Sequence, residues 1–399
     1  MRFNMSESTI EKEAKFFFHT FHRLPLEIDR GEGVYLYSKD GKRYVDFFGG
    51  LAVNALGYNH PRINAAIEKQ IHRYIHLSNY FVQDAQVDLA ERIIAASGFK
   101  RIFFSNSGTE AVEGAIKLAR KWGQKSGKTR LLNLSNSFHG RTMGALSLTD
   151  RPKYREGYDP FLQNTETVQF NDINDLRVKT NEQTLGVILE FIQGEGGINV
   201  ITKEFADELN ALQQKFGFLV LADEIQAGVG RTGRFFGFEH MDVHPDIVVI
   251  AKAIGGGLPL GAILGNERVA DVFSYGEHGT TFGGNPVACA AGCAVMEEVI
   301  QKGLMKQAGT IGAYIKSKAL EMQKEFPTII KEVRGLGCML GIDIDRDGQP
   351  IVDELRNRGL LINCTNTTVL RLLPPYIITQ KLCDQLMGEL RSILKSIKE

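Results

Sequence analysis

One lysine follows a run of apolar residues that is typical of a buried strand. In "DIVVIAKAIGGGLPLGA", Lys252 comes directly after this run, and several glycines and a proline follow it. Lysine forms Schiff bases with carbonyl compounds, and partial burial near another cation lowers its pKa enough to make the amine nucleophilic. Taken alone, the spacing favours a different explanation, a lysine that reaches from the edge of the sheet into solvent. A nucleophilic amine here is a hypothesis that needs supporting residues beside it.

A carboxylate ends a second apolar stretch, "FLVLAD". Asp223 closes the stretch, and Glu224 follows it. A carboxylate that points from a strand end into a site could hold a cationic ring nitrogen by charge and hydrogen bonding. Acids at strand ends are also commonly solvated or used as caps, so this feature is ambiguous when it is considered by itself.

The same region contains the pattern GxGxxG at Gly228, Gly230 and Gly233. A dinucleotide-binding fingerprint has its glycines directly after a strand and at the start of a helix. Here the residues DEIQA separate the glycines from the strand, and "RFFGFEH" does not begin like an amphipathic helix. We therefore predict a surface turn at these glycines and not a nicotinamide-binding site.

A third polar group lies at a turn between a strand and a helix. Ser107, Gly108 and Thr109 follow the apolar "RIFF", and the N-terminus of a helix offers free N–H groups and a positive dipole end to a phosphate. Ser107 and Glu110 also fit a capping box, which alone is the simpler explanation. Considered together, the turn, the aspartate and the lysine meet the three requirements of pyridoxal phosphate, which are its phosphate, its ring nitrogen and its aldehyde.

These residues need a framework that brings them together, and the sequence predicts an α/β sheet. Apolar strand-like segments alternate with helical patterns, as expected for a mostly parallel sheet covered by helices on both faces. Ligands bind at the carboxyl ends of such strands, where the three polar groups fall. The strand-like segments are 101–105, 130–134, 186–190, 218–223 and 246–250.

The 399 residues suggest two or three domains. We predict a large cofactor-binding domain over 56–300 and a smaller α+β domain over 301–399, which has a helical pattern at 304–325. The segment 1–55 contains the hairpin-like "GVYLYSKDGKRYVDF" and is expected to pack with the small domain.

Composition excludes several classes of function. Lys+Arg and Asp+Glu are equal at 47 each, so no basic field attracts nucleic acid or anionic lipid. The N-terminus carries charges where a signal peptide needs an apolar segment, and no apolar run approaches the roughly 20 residues of a membrane helix. The five cysteines form no CxxC pair, so neither a disulfide framework nor a metal site is expected. These features predict a cytoplasmic enzyme.

Eight segments together resemble one enzyme family, the class III or ω-amino-acid aminotransferases of fold type I. The segments follow the family order, and the likeness covers nearly the whole chain. The resemblance implies a large domain with a mostly parallel seven-stranded sheet and a smaller α+β domain. Phe191, in "EFIQGEGG", stands where relatives usually carry proline, a departure that concerns the local loop. The segments are "GGLAVNALGYNHP", "NSGTEA", "FHGRTMGALSLT", "IQGEGG", "DEIQAGVGRTG", "PDIVVIAKAIGGGLPLGA", "HGTTFGGNPVACA" and "VLRLLPP".

The resemblance implies a cofactor site for pyridoxal 5′-phosphate. Lys252 would hold the cofactor as a Schiff base and move protons, and Asp223 would pair with the ring nitrogen. Thr281 would reach the phosphate of the neighbouring subunit, so the resemblance implies a homodimer with shared active sites. The other implied cofactor contacts are Gln226 near the ring hydroxyl, Phe138 stacked on the ring, and Ser107, Gly108 and Thr109 at the phosphate.

The resemblance also implies a substrate site. Arg141 would bind a substrate carboxylate through both terminal nitrogens of its guanidinium, and Thr280 would join the substrate site. Glu195 and Arg371 would form a switch pair, in which the glutamate shields the arginine in one half-reaction and releases it in the other.

The implied reaction is ping-pong transamination of N-acetylornithine with 2-oxoglutarate, which gives N-acetylglutamate semialdehyde and glutamate in arginine biosynthesis. 4-Aminobutyrate, ornithine, succinylornithine and a lysine-pathway amine are the alternative donors. An aminomutase or decarboxylase would share Lys252 and Asp223, but it would not need two modes of carboxylate recognition. A nicotinamide oxidoreductase predicts nicotinamide-dependent turnover, and a cofactor-free binding protein predicts a colourless preparation.

Overall fold

The chain begins with a helix and a small antiparallel sheet. The computed structural model describes residues 8–398, so residues 1–7 of the predicted N-terminal segment and residue 399 of the predicted small domain lie outside it. The predicted hairpin is confirmed, because the second and third strands pair in antiparallel fashion. The first elements are α1 (Thr9–Phe16), β1 (Ile28–Glu32), β2 (Tyr35–Ser38) and β3 (Arg43–Asp46).

The middle of the chain contributes the central sheet. The strands in this part of the chain are β4 (Arg101–Ser105), β5 (Arg130–Leu134), β6 (Thr165–Val168), β7 (Thr184–Leu189), β8 (Ile192–Gln193), β9 (Asn199–Val200), β10 (Leu219–Asp223), β11 (Ile247–Ile250) and β12 (Gly261–Gly265). Within the described chain, seven of these form one sheet in the order β4-β12-β11-β10-β7-β5-β6. Every neighbouring pair is parallel except those that β12 makes with β11 and β4. The predicted mostly parallel seven-stranded sheet is confirmed, and β8 and β9 form a separate hairpin.

The strands are apolar throughout because both faces of the sheet are covered. In β10, Val220 and Ala222 enter one hydrophobic core, whereas Leu219 and Leu221 enter a second core on the opposite face. The helices of this region are α2 (Gly49–Ala52, a single turn with positive φ), α3 (Pro61–Ile71), α4 (Asp84–Ser97), α5 (Gly108–Gln124), α6 (Met143–Ser147), α7 (Pro152–Arg155), α8 (Ile173–Lys179), α9 (Lys203–Phe216) and α10 (Pro286–Met296). The second core includes much of α5 and places the N-terminus of this helix beside the strand ends.

The last third of the chain forms a smaller sheet with helices. Its elements are α11 (Leu304–Glu325), β13 (Ile330–Leu336), β14 (Met339–Ile344), α12 (Gln349–Asn357), β15 (Leu360–Leu361), β16 (Asn363–Thr365), β17 (Val369–Leu372) and α13 (Gln380–Lys398). β13, β14, β17 and β16 form an antiparallel sheet, whereas β15 joins the N-terminal sheet in parallel with β3. None of the helices in the described residues is long and apolar enough to cross a membrane.

The turn that carries the GxGxxG pattern is not at the surface, so that part of our prediction is wrong. Gly228 and Gly230 are buried. A Cβ on Gly230 would lie 2.9 Å from Cγ1 of Val299, and a Cβ on Gly233 would lie 2.8 Å from Cα of Gly309 in α11. The glycines allow α11 to approach the turn closely, and the sequence pattern does not reveal which element covers it.

Candidate active site

A cavity of about 490 Å³ lies at the carboxyl ends of the central strands. This volume is in the range of small-molecule sites, which are also mostly apolar with a few polar groups. The walls include apolar side chains such as Val53, Ile225 and Leu260. The predicted site residues that line the cavity are Ser107, Gly108, Thr109, Phe138, Arg141, Asp223, Gln226 and Lys252.

Lys252 follows β11 after one residue and begins a 3₁₀ turn, Lys252–Gly255. Its φ of 51° is in the left-handed region, which costs an L-residue on the order of 1 kcal/mol and is common at functional sites. Among residues 8–398, its Nζ has no hydrogen bond or ion pair. Burial lowers the pKa of Lys252 and outweighs the opposing carboxylate of Glu195. The amine is therefore unpartnered and more readily deprotonated than an ordinary lysine.

Asp223 is the last residue of β10 and is buried. Its Oδ2 lies 2.7 Å from Nδ1 of His139, and its Oδ1 accepts the N–H of Ile225 at 3.1 Å. Because a carboxylate only accepts hydrogen bonds, Nδ1 is the donor. Nε2 of His139 is buried and has no hydrogen-bond partner in the described part of the chain. The two donors fix the orientation of the carboxylate at the cavity wall.

Ser107 is the N-cap of α5, and its hydroxyl accepts the N–H of Glu110 at 3.3 Å. The carboxylate of Glu110 turns instead to Asn106 and accepts its backbone N–H at 2.9 Å and its side-chain amide at 2.8 Å. The capping box is thus only half formed. The first N–H groups of a helix have no partner within it, and here they face the cavity. The turn caps α5 and also offers an anion site.

Phe138 and Arg141 lie on the wall and at the mouth of the cavity. Phe138 is half-buried, and its ring meets that of Tyr154 edge to face, with centroids 5.9 Å apart. The exposed guanidinium of Arg141 lies 3.6 Å from the centroid of the Tyr154 ring. No described carboxylate pairs with Arg141, so this cation is free to bind an anionic ligand.

Glu195 and Arg371 form an ion pair beside the cavity, with 2.5 Å between Oε1 and a guanidinium nitrogen. The same nitrogen of Arg371 lies 3.4 Å from Oε1 of Gln226, which lines the cavity. Burial raises the pKa of Glu195, but the guanidinium of Arg371 outweighs this effect and holds the pKa below its usual range. The carboxylate is therefore ionised and shields a buried cation.

Glu190 is a site residue that the sequence analysis did not identify. It is buried at the cavity wall, and its carboxylate accepts the N–H of Phe138 at 3.0 Å and the N–H of Gly194 at 2.9 Å. Burial raises the pKa of Glu190 to about 7 against the opposing effect of His139. His139 was missed as well. Glu190 ends the apolar "GVILE" and His139 follows Phe138 in "FHG", but neither position reveals the contacts that bring the residue into the site.

Thr280 and Thr281 do not line this cavity. Both lie along a neighbouring cleft of about 1040 Å³, and Thr281 is exposed. The hydroxyl of Thr280 accepts the side-chain amide of Asn106 at 3.4 Å and the N–H of Gly283 at 3.1 Å. Their predicted roles depend on a substrate or a second chain and stay predictions.

The residues at the cavity fit pyridoxal phosphate. The group needs an amine for its aldehyde, an acceptor for its ring nitrogen and a site for its phosphate. The unpartnered Nζ of Lys252, the oriented carboxylate of Asp223 and the N-terminus of α5 provide these three in one cavity. The fold and the site therefore define an aminotransferase-type pyridoxal phosphate enzyme.

Comparison with known proteins gives the family. Residues 18–394 match the family described as aminotransferase class-III, and the chain belongs to this family. Its members use pyridoxal phosphate, and one similar solved structure, at 28% identity, is an amine transaminase from an uncultivated Pseudomonas species in the pyridoxal-phosphate-bound form. The chain is thus a pyridoxal-phosphate-dependent transaminase.

Individual relatives are similar over nearly their whole length. The acetylornithine aminotransferase of Aquifex aeolicus is 41% identical over 95% of this chain and 100% of its own. That of Methanocaldococcus jannaschii is 43% identical over 98% and 99%. Among solved structures, an ornithine aminotransferase from Toxoplasma gondii matches with a TM-score of 0.93 at 28% identity, over 98% of this chain and 94% of its own. An acetylornithine aminotransferase from Elizabethkingia anophelis matches with a TM-score of 0.87 at 32% identity, over 97% and 98%.

Phe191, which stands where relatives usually carry proline, has a structural role. The side chain is fully buried, and its ring lies 6.0 Å from that of Phe238. The residue after Glu190 thus fills the core behind the cavity.

Proposed function

We propose that this enzyme transfers the δ-amino group of N-acetylornithine to 2-oxoglutarate, a step of arginine biosynthesis. The relatives at about 40% identity are acetylornithine aminotransferases, which supports this amine. The products are N-acetylglutamate semialdehyde and glutamate.

Two arginines in different states carry the proposal, one at the cavity and the other beside it. Arg141 is unpaired and exposed, whereas Arg371 is buried and held by Glu195. N-acetylornithine has one carboxylate and a neutral amide, so Arg141 suffices for it. 2-Oxoglutarate has two carboxylates, and its second one requires that Glu195 leave Arg371. The pair therefore supports alternation between a monocarboxylate and a dicarboxylate.

Other residues at the cavity would transfer protons and hold the cofactor. Bound pyridoxal phosphate supplies an aldehyde that condenses with amines and a ring that accepts electrons. Lys252 would move a proton from the substrate carbon that bears the amino group to the cofactor, a role that its lowered pKa favours. Asp223, oriented by His139, would accept the N–H of a protonated ring nitrogen. Glu190 anchors the backbone of Phe138, whose side chain would pack against the ring.

We also propose a cytoplasmic homodimer with shared active sites. The support is the exposed position of Thr281 and the open cleft beside Thr280, which leave these residues available to a second copy of the chain.

A panel of amine donors with 2-oxoglutarate tests the function. We expect N-acetylornithine to have the highest kcat/KM, ahead of succinylornithine, ornithine, 4-aminobutyrate and lysine-pathway amines. Ornithine is the sharpest comparison because it differs by the acetyl group alone. A higher kcat/KM for any other donor would reject N-acetylornithine as the substrate, and the absence of transamination with every donor would reject the assigned reaction.

A further inference from the structure

The two members of the switch pair differ in how firmly they are held. Only 2% of the side chain of Arg371 is exposed, compared with 23% for Glu195. Arg371 also donates to the carbonyl of Gly194 at 3.2 Å and to Oδ1 of Asn363 at 3.1 Å. The arginine therefore stays in place when a second substrate carboxylate arrives, and the carboxylate of Glu195 is the group that moves.

A displaced carboxylate at a partly buried position needs a new cation. Leaving a buried charge without its partner costs several kcal/mol, and this cost would oppose binding of the dicarboxylate. Lys252 lies near Glu195 but reacts with the cofactor. Arg334 donates to the carbonyl of Gly197 in the same loop but already pairs with Glu332 and Asp343. Neither is available to receive the carboxylate of Glu195.

Arg151 meets this need. Its guanidinium donates to the main-chain carbonyl of Glu195 itself at 2.9 Å, so it already lies beside the residue that moves. The hydroxyl of Thr365 donates to the same carbonyl at 2.8 Å and fixes the backbone there. Arg151 is half-buried, and no carboxylate among the described residues pairs with it. The remaining nitrogens of its guanidinium are free to bind a carboxylate.

We propose that Arg151 receives the carboxylate of Glu195 when a dicarboxylate displaces it from Arg371. Arg151 is then a positioning residue that determines how well the site accepts 2-oxoglutarate and glutamate, and it need not touch either of them. This inference rests on the proposed function, in which one site alternates between one and two substrate carboxylates.

Binding of glutarate to the holoenzyme tests the proposal. Glutarate has both carboxylates of 2-oxoglutarate but no reactive carbonyl or amine, and butyrate is the matched monocarboxylate. In calorimetric titrations, we expect Arg151→Gln to weaken glutarate binding about tenfold through the loss of one charge-assisted hydrogen bond, and to weaken butyrate binding much less. Arg151→Lys keeps the charge and should recover part of the affinity.

Two further variants separate this role from structural support. Arg155 lies in the same segment and donates to the carbonyl of Thr149 at 3.4 Å, away from Glu195. Arg155→Gln should bind glutarate as the unsubstituted enzyme does. In a Glu195→Gln background no displaced charge needs a cation, so adding Arg151→Gln should cause no further loss.

The outcomes are distinct. An equal loss of glutarate affinity with or without Glu195 would overturn the proposal, because Arg151 would then act on the ligand itself. If Arg151→Gln weakened the binding of glutarate and butyrate equally, the proposal would be overturned. It would also be overturned if Arg151→Gln and Arg155→Gln weakened glutarate binding equally, because Arg151 would then only stabilise the loop. If N-acetylornithine were not the amine donor, the glutarate titrations would still test the role of Arg151, because they measure only the binding of a dicarboxylate. An unsubstituted enzyme that neither binds glutarate nor turns over glutamate would overturn both the inference and the proposed function.

Discussion

Lys252 owes its reactivity to its position at the end of β11. The strand is buried on both faces, and one residue after its end the backbone turns into the left-handed region at Lys252. This turn brings an amine into an apolar cavity with no partner in the described chain, and burial lowers its pKa. The neighbouring carboxylates of Asp223 and Glu195 oppose the shift without cancelling it. The result is a nucleophile that is maintained by the fold.

Removing the amine tests its role directly. We expect Lys252→Ala to retain pyridoxal phosphate noncovalently, because Asp223 and the N-terminus of α5 remain, but to lose transamination. Borohydride should fix the cofactor to Lys252 in the unsubstituted protein, as peptide mapping would show. An adduct on a different lysine would refute the assignment.

Substitutions of Arg141 and Glu195 should affect the two half-reactions differently. Arg141→Met should slow both half-reactions, with a loss of about 1.5–3 kcal/mol in transition-state binding for a charge-assisted hydrogen bond. Glu195→Gln should slow the half-reaction of the amine more, since an unshielded Arg371 favours the dicarboxylate. Single-turnover kinetics with N-acetylornithine and with glutamate distinguish the two variants. Equal slowing of both half-reactions by Glu195→Gln would make Glu195 a structural acid.

The sequence predicts only those site residues whose local pattern is distinctive. Lys252 and Asp223 each end an apolar run, and it was their combination with the turn at Ser107 that suggested their chemistry. The contribution of His139 depends on its contact with Asp223, which is distant in sequence, so no local pattern reveals it. The same holds for Glu190, whose carboxylate joins the backbones of two separate loops. The substrate residues came from family resemblance and not from spacing.

At the scale of elements, the buried strands are the predictable ones. β10 and β11 lie inside the sheet and are apolar on both faces, whereas β6 ("TETV") forms its edge and has little hydrophobic pattern. β12 ("GAILG") lies in a glycine-rich stretch and is not among the strand-like segments that we predicted. In the C-terminal part, the pattern at 304–325 coincides with α11.

Two helical glycines provide a matched test of element packing. A Cβ on Gly312 in α11 would collide with the backbone carbonyl of Gly337, whereas Gly388 in α13 is exposed with nothing near it. We expect Gly312→Ala to lower the free energy of unfolding by about 1–3 kcal/mol through overpacking, and Gly388→Ala to raise it by about 0.5–1 kcal/mol through helix propensity. Urea denaturation measures both. Similar effects from the two substitutions would contradict the close approach of α11 to the β13–β14 turn.

At the scale of the whole molecule, one chain leaves part of the predicted site unused. Thr281 is exposed, and large apolar side chains such as Tyr80 and Phe282 are exposed in the same region of the surface. Exposed apolar groups of this size are typical of surfaces that bind another protein. The proposed homodimer would cover them and bring Thr281 to the partner's site.

Mixed dimers test whether the site is shared. Thr281→Ala alone should weaken retention of the cofactor. When it is mixed with Lys252→Ala under conditions of subunit exchange, one site of each hybrid should have both lesions and the other should have neither. We expect activity above that of either parent. Full activity of a monomer at low concentration would refute the shared site.

The pairing of β3 with β15 has a consequence for the order of synthesis. Asp46 and Leu360 are 314 residues apart along the chain. At about 5–20 residues per second, a ribosome needs roughly 15–60 s to make the intervening chain. Throughout this interval β3 has an unpaired edge, the kind of edge that recruits foreign strands. The N-terminal sheet is therefore completed late, and a nascent chain that stalls before residue 360 leaves this edge open to aggregation.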